Sequence, residues 1–233
     1  MLTIGMIGGT SWESTAVYYR LINSDVKRRL GGFHSARMVI VSVDFAELEQ
    51  FMPLGQWDEI GARLADAARA VEAGGADILM LSANTMHQCA EAVQAAVWLP
   101  FIHIADVTAD AIDAAGHKRV GLLGTRYVME REFLRQRLES RGLEVLVPEE
   151  PDRTTIHDII FKELVLGEIR GDSRAAFLGV IERLREGGAE GVVLACTEFG
   201  LLVADGDASV PLFDTTILHA RRAVDMAIGG TER

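Results

Sequence analysis

Residues 74–87 read GGADILMLSANTMH, and residues 187–200 read GGAEGVVLACTEFG. Each stretch opens with Gly-Gly-Ala and an acidic residue, passes through an apolar run and ends in small polar residues. Glycines of this kind stop a helix, a short apolar run reads as a buried strand, and the polar residues form a loop at its carboxyl end. Aligning the two stretches sets Cys196 on Ala83. A second pair, TIGMIGGT (3–10) and RVGLLGTR (119–126), matches as strand plus glycine turn at nearly the same separation. Two matches in the same order point to a duplicated half-chain. The competing explanation is chance, since strand-loop-helix units resemble one another.

Outward from these stretches, short β-rich runs alternate with longer helical ones. Strands are predicted in 2–9, 36–45, 76–82, 99–104, 119–125, 143–148, 191–196 and 210–215. Helical patterns fill the intervals, among them 57–75, ended by its glycines, and 129–142. Thr10 with Glu13 has the spacing of a capping box for the first helix. Such alternation specifies an α/β fold with parallel sheets. The duplication makes it two similar Rossmann-like domains related by a pseudo-two-fold, with the active site at their interface, because ligands of open α/β sheets bind at the carboxyl ends of the strands. The expected division is 1–104 plus 212–233 for the first domain and 105–211 for the second. In this reading the last helix lies outside the repeat and packs back on the first half.

The 233 residues carry 34 acidic and 23 Lys or Arg side chains, a formal charge of -11. That balance argues against a nucleic acid or an acidic membrane as partner. The amino-terminal MLTIGMIGG lacks the basic start of a signal peptide, and no apolar run reaches the ~20 residues of a membrane helix. The two cysteines, Cys89 and Cys196, have neither CxxC nor metal-ligand spacing, so a reducing cytoplasm is expected. No metal cluster, phosphate loop or other cofactor motif is present; Gly8–Ser11 (GGTS) is neither a Walker loop nor a dinucleotide fingerprint.

Cys196 is the leading candidate for chemistry. It ends an apolar strand and precedes Thr197 and Glu198, where backbone N–H groups at a helix start would favour the thiolate. Against this stands the usual fate of a free cysteine as a small buried hydrophobe, which is the reading for Cys89. Asn84 and Thr85 hold the matching place in the first half and can bind a carboxylate with the N–H groups of the next helix, or simply cap it. Arg126 can supply positive charge or sit solvated. His87 can serve as a structural hydrogen bonder or as a proton carrier, and His103 also lies near a strand end. Lys162 is expected on the surface.

Together, IGMIGGTSWEST, SANTMH and ACTEFGLL resemble the aspartate/glutamate racemase family, which works without pyridoxal phosphate, and most of all its broad-specificity or L-specific branch. The similarity runs along the whole chain, through YYRLIN, LGGFHSA, SVDF, IHIAD, LLGTRYVME and FDTTILHA. The resemblance implies a racemase acting on aspartate or glutamate, with no cofactor, commonly as a homodimer. Its two acid/base residues flank the α-carbon: one removes the α-proton and the other returns a proton to the opposite face. Cys196 matches the second of these. Asn84, Thr85 and Thr197 match the carboxylate-binding positions, with Thr10, Ser11, Thr125 and Glu198 completing the substrate-binding set.

The family's first base is absent, because Ala83 occupies its place and a methyl group neither gives nor takes a proton. Ser82, Thr85, His87 or an ordered water are substitute carriers; an introduced Thr→Ala or Cys→Ala change is a second explanation. A third is a reaction that needs one acid, as in the related single-cysteine arylmalonate decarboxylases. The alternatives to a racemase are therefore a single-cysteine lyase or decarboxylase, or a non-catalytic binder of acidic amino acids.

Overall fold

A computed structural model describes residues 1–204 and 206–229. They fall into two compact units, the first comprising 1–103 with the chain from His219 onward, the second Ile104–Leu218. In the first unit the chain runs β1 (Ile4–Gly8), α1 (Trp12–Leu30), β2 (Met38–Ser42), α2 (Ala46–Glu49), α3 (Trp57–Ala73) and β3 (Ile78–Leu81). A 3-10 turn (Thr85–Cys89), α4 (Ala90–Ala95) and β4 (Phe101–Ile102) follow. The second unit starts with α5 (Ile104–Ala114), β5 (Arg119–Gly124), α6 (Arg126–Glu130), α7 (Glu132–Glu139) and β6 (Glu144–Leu146). It continues through α8 (Asp152–Lys162), α9 (Gly171–Glu186), β7 (Gly191–Ala195), α10 (Phe199–Leu202) and β8 (Leu212–Asp214), where α11 (Thr215–Gly229) begins.

Each unit holds a four-stranded, all-parallel sheet, in the orders β2-β1-β3-β4 and β6-β5-β7-β8. Every residue of β1, β3 and β7 is buried, as parallel strands covered by helices on two faces require. β2 lies at a sheet edge and is only half-buried. In the second unit, Ile104, Ala109 and Ile112 of α5 pack with Val120, Leu122 and Val193 in one apolar cluster. A separate cluster gathers Phe177, Ile181, Val192, Leu194 and Phe199.

The recurring Gly-Gly-Ala-acid now has a physical explanation. Gly74 and Gly187 accept no side chain easily and end α3 and α9 through backbone bonds to Ala70 and Arg183. The chain reverses at Gly75 and Gly188, whose φ of 85° and 99° suits glycine alone. The acid then reaches the start of the neighbouring strand. Asp77 Oδ2 accepts from the Thr3 N–H at 2.7 Å, and Glu190 Oε2 from the Lys118 N–H at 2.6 Å. Four sequence letters thus stop a helix, turn the chain and clamp β3 beside β1 or β7 beside β5.

Several expectations are corrected. α1 is capped by Ser11, whose Oγ accepts from the Ser14 N–H at 3.2 Å, so the cap lies one residue past Thr10. The predicted helix 129–142 is broken at Arg131, which is extended (φ -87°, ψ 150°) and separates α6 from α7. The end of the chain does not leave the second unit at 212. β8 pairs with β7, and the Thr215 hydroxyl donates to Leu194 O at 3.0 Å, which keeps the chain there through Leu218. β8 and α11 therefore continue the repeat as counterparts of β4 and α5. Consequently α5 follows β4 in sequence yet packs in the second unit, whereas α11 from His219 onward packs in the first.

His219 anchors that return. Its Nε2 donates to Ile102 O at 2.8 Å, which leaves Nδ1 to accept from the Tyr18 hydroxyl at 3.1 Å. The ring is fully buried, and burial pushes its pKa down to about 4. An unfolded histidine takes a proton near pH 6.5, well before the folded one, so stability falls as pH drops from about 6.5 towards 4. The loss attributable to this ring is about 3 kcal/mol. Urea denaturation across that range should show it, and His219→Gln, which keeps a donor and an acceptor but cannot be charged, should flatten the difference. No helix among the described residues is long and apolar enough to cross a membrane.

Candidate active site

In each sheet the chain builds outward in both directions from one strand, β1 or β5. The crevice between that strand and its inner neighbour is a topological switch point, where open α/β sheets bind ligands. In the first unit β1 and β3 pair with Ile7 opposite Leu81, so Gly8–Ser11 and Ser82–Thr85 leave the sheet side by side. The Ser14 hydroxyl donates to Ser82 O at 2.7 Å and ties the first turn of α1 to the second loop. In the second unit Gly124 pairs with Ala195, which sets Thr125 beside Cys196.

The first loop approaches its neighbours closely. Gly9 has φ 86°, and a Cβ there would lie 2.0 Å from Val43 O. Its N–H donates to Thr15 Oγ1 at 2.8 Å. Thr10 is buried and its hydroxyl has no hydrogen-bond partner among the described residues. Such a group is costly unless something else binds it. Asn84 is buried in helical backbone conformation, and its side chain does not cap the 3-10 turn. Thr85, by contrast, is half-buried at the first position of that turn.

The two substitute carriers beside Ala83 differ. Ser82 is fully buried and its hydroxyl donates to Ile7 O at 3.2 Å, which ties it to β1. His87 is also buried, and its Nδ1 donates to the carbonyl of Ala83 at 2.7 Å. A carbonyl only accepts, so Nδ1 carries the hydrogen in this bond. Its ring centroid lies 4.7 Å from that of His103 and 5.8 Å from that of His219. Three imidazoles thus gather beneath the Ala83 loop.

Cys196 is buried at the end of β7 in the cluster that contains Phe177 and Phe199. Its Sγ donates to Glu198 Oε2 at 3.0 Å, and the Thr197 hydroxyl donates to the same oxygen at 2.7 Å. One backbone N–H, that of Glu198, favours the thiolate, but it is outweighed. α10 has four residues, while burial, then the Glu198 carboxylate and, more weakly, Asp214 push the thiol well above its usual pKa. The resting sulfur is a thiol. Asp214, at the end of β8, went unrecognised in the sequence; an acid closing the apolar run 210–215 was the available signal.

Thr125 caps α6, its Oγ1 accepting from the Val128 N–H at 3.3 Å. Arg126 is exposed and engaged, donating to Thr154 Oγ1 at 2.8 Å and lying 3.6 Å from Glu130. Lys162 is exposed and paired with Asp158. Cys89 is buried on the 3-10 turn, where its thiol donates to Trp57 O at 3.4 Å.

A family model described as Asp/Glu/Hydantoin racemase matches residues 7–223. The crystal structure of a Yersinia pestis protein, assigned provisionally as an Asp/Glu racemase, superposes with a TM-score of 0.93 at 48% identity, over 98% of this chain and 100% of that one. An aspartate racemase homologue from Pyrococcus horikoshii OT3 gives 0.87 at 36% identity, with the same coverage. The broad specificity amino-acid racemase RacX of Bacillus subtilis (strain 168) is 23% identical over 167 residues, 72% of either chain.

The two cysteines should behave differently towards alkylation. Burial and nearby Asp58 raise the Cys89 thiol to about 11. In the folded protein it should remain unmodified by iodoacetamide through about pH 9, because the thiolate is the nucleophile. Peptide mass spectrometry after a pH series reads this directly; ready modification at neutral pH would contradict the packing role.

Proposed function

The chain belongs to the Asp/Glu/hydantoin racemase family, and from that premise we propose that it is a cofactor-independent racemase of acidic amino acids. The observation that supports this most is the buried Cys196 thiol at the β5/β7 switch point, hydrogen-bonded to a carboxylate. A sulfur in that setting can exchange one proton with a carbon acid, and burial keeps bulk water from competing. Thr10, Ser11, Asn84 and Thr85 are the proposed holders of the substrate carboxylates, together with Thr125 and Thr197. The unpartnered Thr10 hydroxyl supports that assignment, since a bound carboxylate would accept its proton.

Racemisation needs a proton carrier for each face of the α-carbon, and Ala83 supplies none. His87, tied to the Ala83 carbonyl, is the proposed substitute. A second reading is favoured by the protonated state of Cys196. A thiol that rests protonated is suited to quenching a planar enolate from one face after loss of carbon dioxide from a malonate-like acid. A carbon dioxide assay separates that lyase from the racemase.

Aspartate and glutamate of either hand should take up solvent deuterium at the α-carbon when incubated with the protein. Cys196→Ser should lower that exchange by about two orders of magnitude or more, with unchanged circular dichroism; near-normal exchange would remove the thiol from the mechanism. Ala83→Thr or Ala83→Cys should raise inversion relative to exchange, read by chiral chromatography. A binder without chemistry would instead hold the amino acid and leave its α-hydrogen in place.

A further inference from the structure

β5 ends at Gly124, and the next residue, Thr125, stands beside Cys196 before the chain turns into α6. A helix start leaves backbone N–H groups without partners inside the helix. Thr125 satisfies that of Val128 with its own Oγ1. The N–H of the first helical residue, Arg126, is taken from much further along the chain: it donates to Nδ1 of His157 on α8 at 3.3 Å. The same helix holds the other end of that residue, where the Arg126 guanidinium donates to Thr154 Oγ1 at 2.8 Å. Thr154 is braced in turn by Glu150, whose Oε2 accepts from its hydroxyl at 2.7 Å. The His157 ring is set against Phe161, one turn along, with centroids 4.6 Å apart. α8 therefore grips Arg126 by backbone and side chain, immediately after Thr125.

We propose that His157 is a positioning residue whose neutral ring holds the Thr125–Arg126 peptide and so keeps Thr125 in place beside Cys196. The inference rests on the racemase reading, in which Thr125 helps to hold a substrate carboxylate. Only an unprotonated Nδ1 can accept, so a proton on it would set N–H against N–H and open the grip. Burial, and after it the Arg126 charge, holds the ring below the ordinary histidine value of about 6.5. Asp158 and Glu130 pull the other way, and Lys162 adds to the lowering. On the neighbouring helices Arg183 of α9 is engaged by Asp152, and Arg153 of α8 lies between Glu130 and Glu150. The grip is therefore closed at neutral pH and opens as the pH falls through a midpoint below about 6.5.

The Arg126 amide resonance, followed by nitrogen-15 NMR through an acid titration, should move with a midpoint below about 6.5. It should lose that midpoint in His157→Asn, whose Oδ1 can accept the same N–H but takes no proton. In α-deuterium exchange of aspartate or glutamate, the wild-type KM should rise about two- to tenfold through the same midpoint, the worth of one hydrogen bond, while kcat changes less. Other groups titrate in both proteins, so the difference between the wild-type and His157→Asn profiles isolates this ring. His157→Phe keeps a ring against Phe161 and removes the acceptor. Its KM should be raised about two- to tenfold at neutral pH, where His157→Asn matches the wild type. An Arg126 resonance that does not follow the ring, or KM profiles that coincide in the wild type and His157→Asn, overturns the proposal. So does a folded His157→Phe protein with the wild-type KM at neutral pH. If no acidic amino acid exchanges at all, the racemase reading falls, and the amide resonance alone decides whether His157 holds the loop.

Discussion

Two carboxylates, Asp77 and Glu190, close on backbone N–H groups at the starts of β1 and β5, and the architecture of each unit depends on that clamp. Parallel strands cannot be joined by a tight hairpin, so their register has to be set by something outside the connection. Here the acid does so at the amino end, immediately after the glycine turn that stops α3 or α9. With the starts aligned, Ile7 falls opposite Leu81 and Gly124 opposite Ala195. The polar loops that follow then emerge next to one another, which is the condition for building a site at a switch point.

The same register sets the electrostatics of Cys196. Carrying an apolar strand to its last residue buries the sulfur, and the tight step into α10 brings Glu198 back onto it. Burial and a neighbouring anion both disfavour the thiolate, so the sulfur rests protonated. The first unit builds its corresponding loop from the opposite material. Ala83 contributes only a backbone carbonyl, which His87 engages, and the buried polar groups around it serve the sheet or face the loop.

The two closing helices exchange units, and the return comes at His219 rather than at the expected 212 because β8 pairs with β7. α5 and α11 are amphipathic segments of similar character, and either would cover a sheet face. Periodicity tells that a helix buries one stripe; it does not tell against which sheet. The identity of the covered face depends on contacts such as His219 with Ile102 and Tyr18, made between residues far apart in the chain. The shift of the first cap from Thr10 to Ser11 has a similar origin, because Gly9 must bend sharply against Val43 before the helix can begin.

Local chemistry was written in the chain itself. Apolar runs of strand length, glycine pairs at helix ends and the duplicated order of both specify parallel α/β units and place Cys196, Asn84 and Thr85 at strand ends. Those features depend on neighbours a few residues away. Protonation, by contrast, is a property of the surroundings. That Cys196 is a thiol bound to Glu198, that the Ser82 hydroxyl bonds back to β1 and that Asp214 bears on the sulfur follow from burial and through-space contacts, which only the folded chain decides.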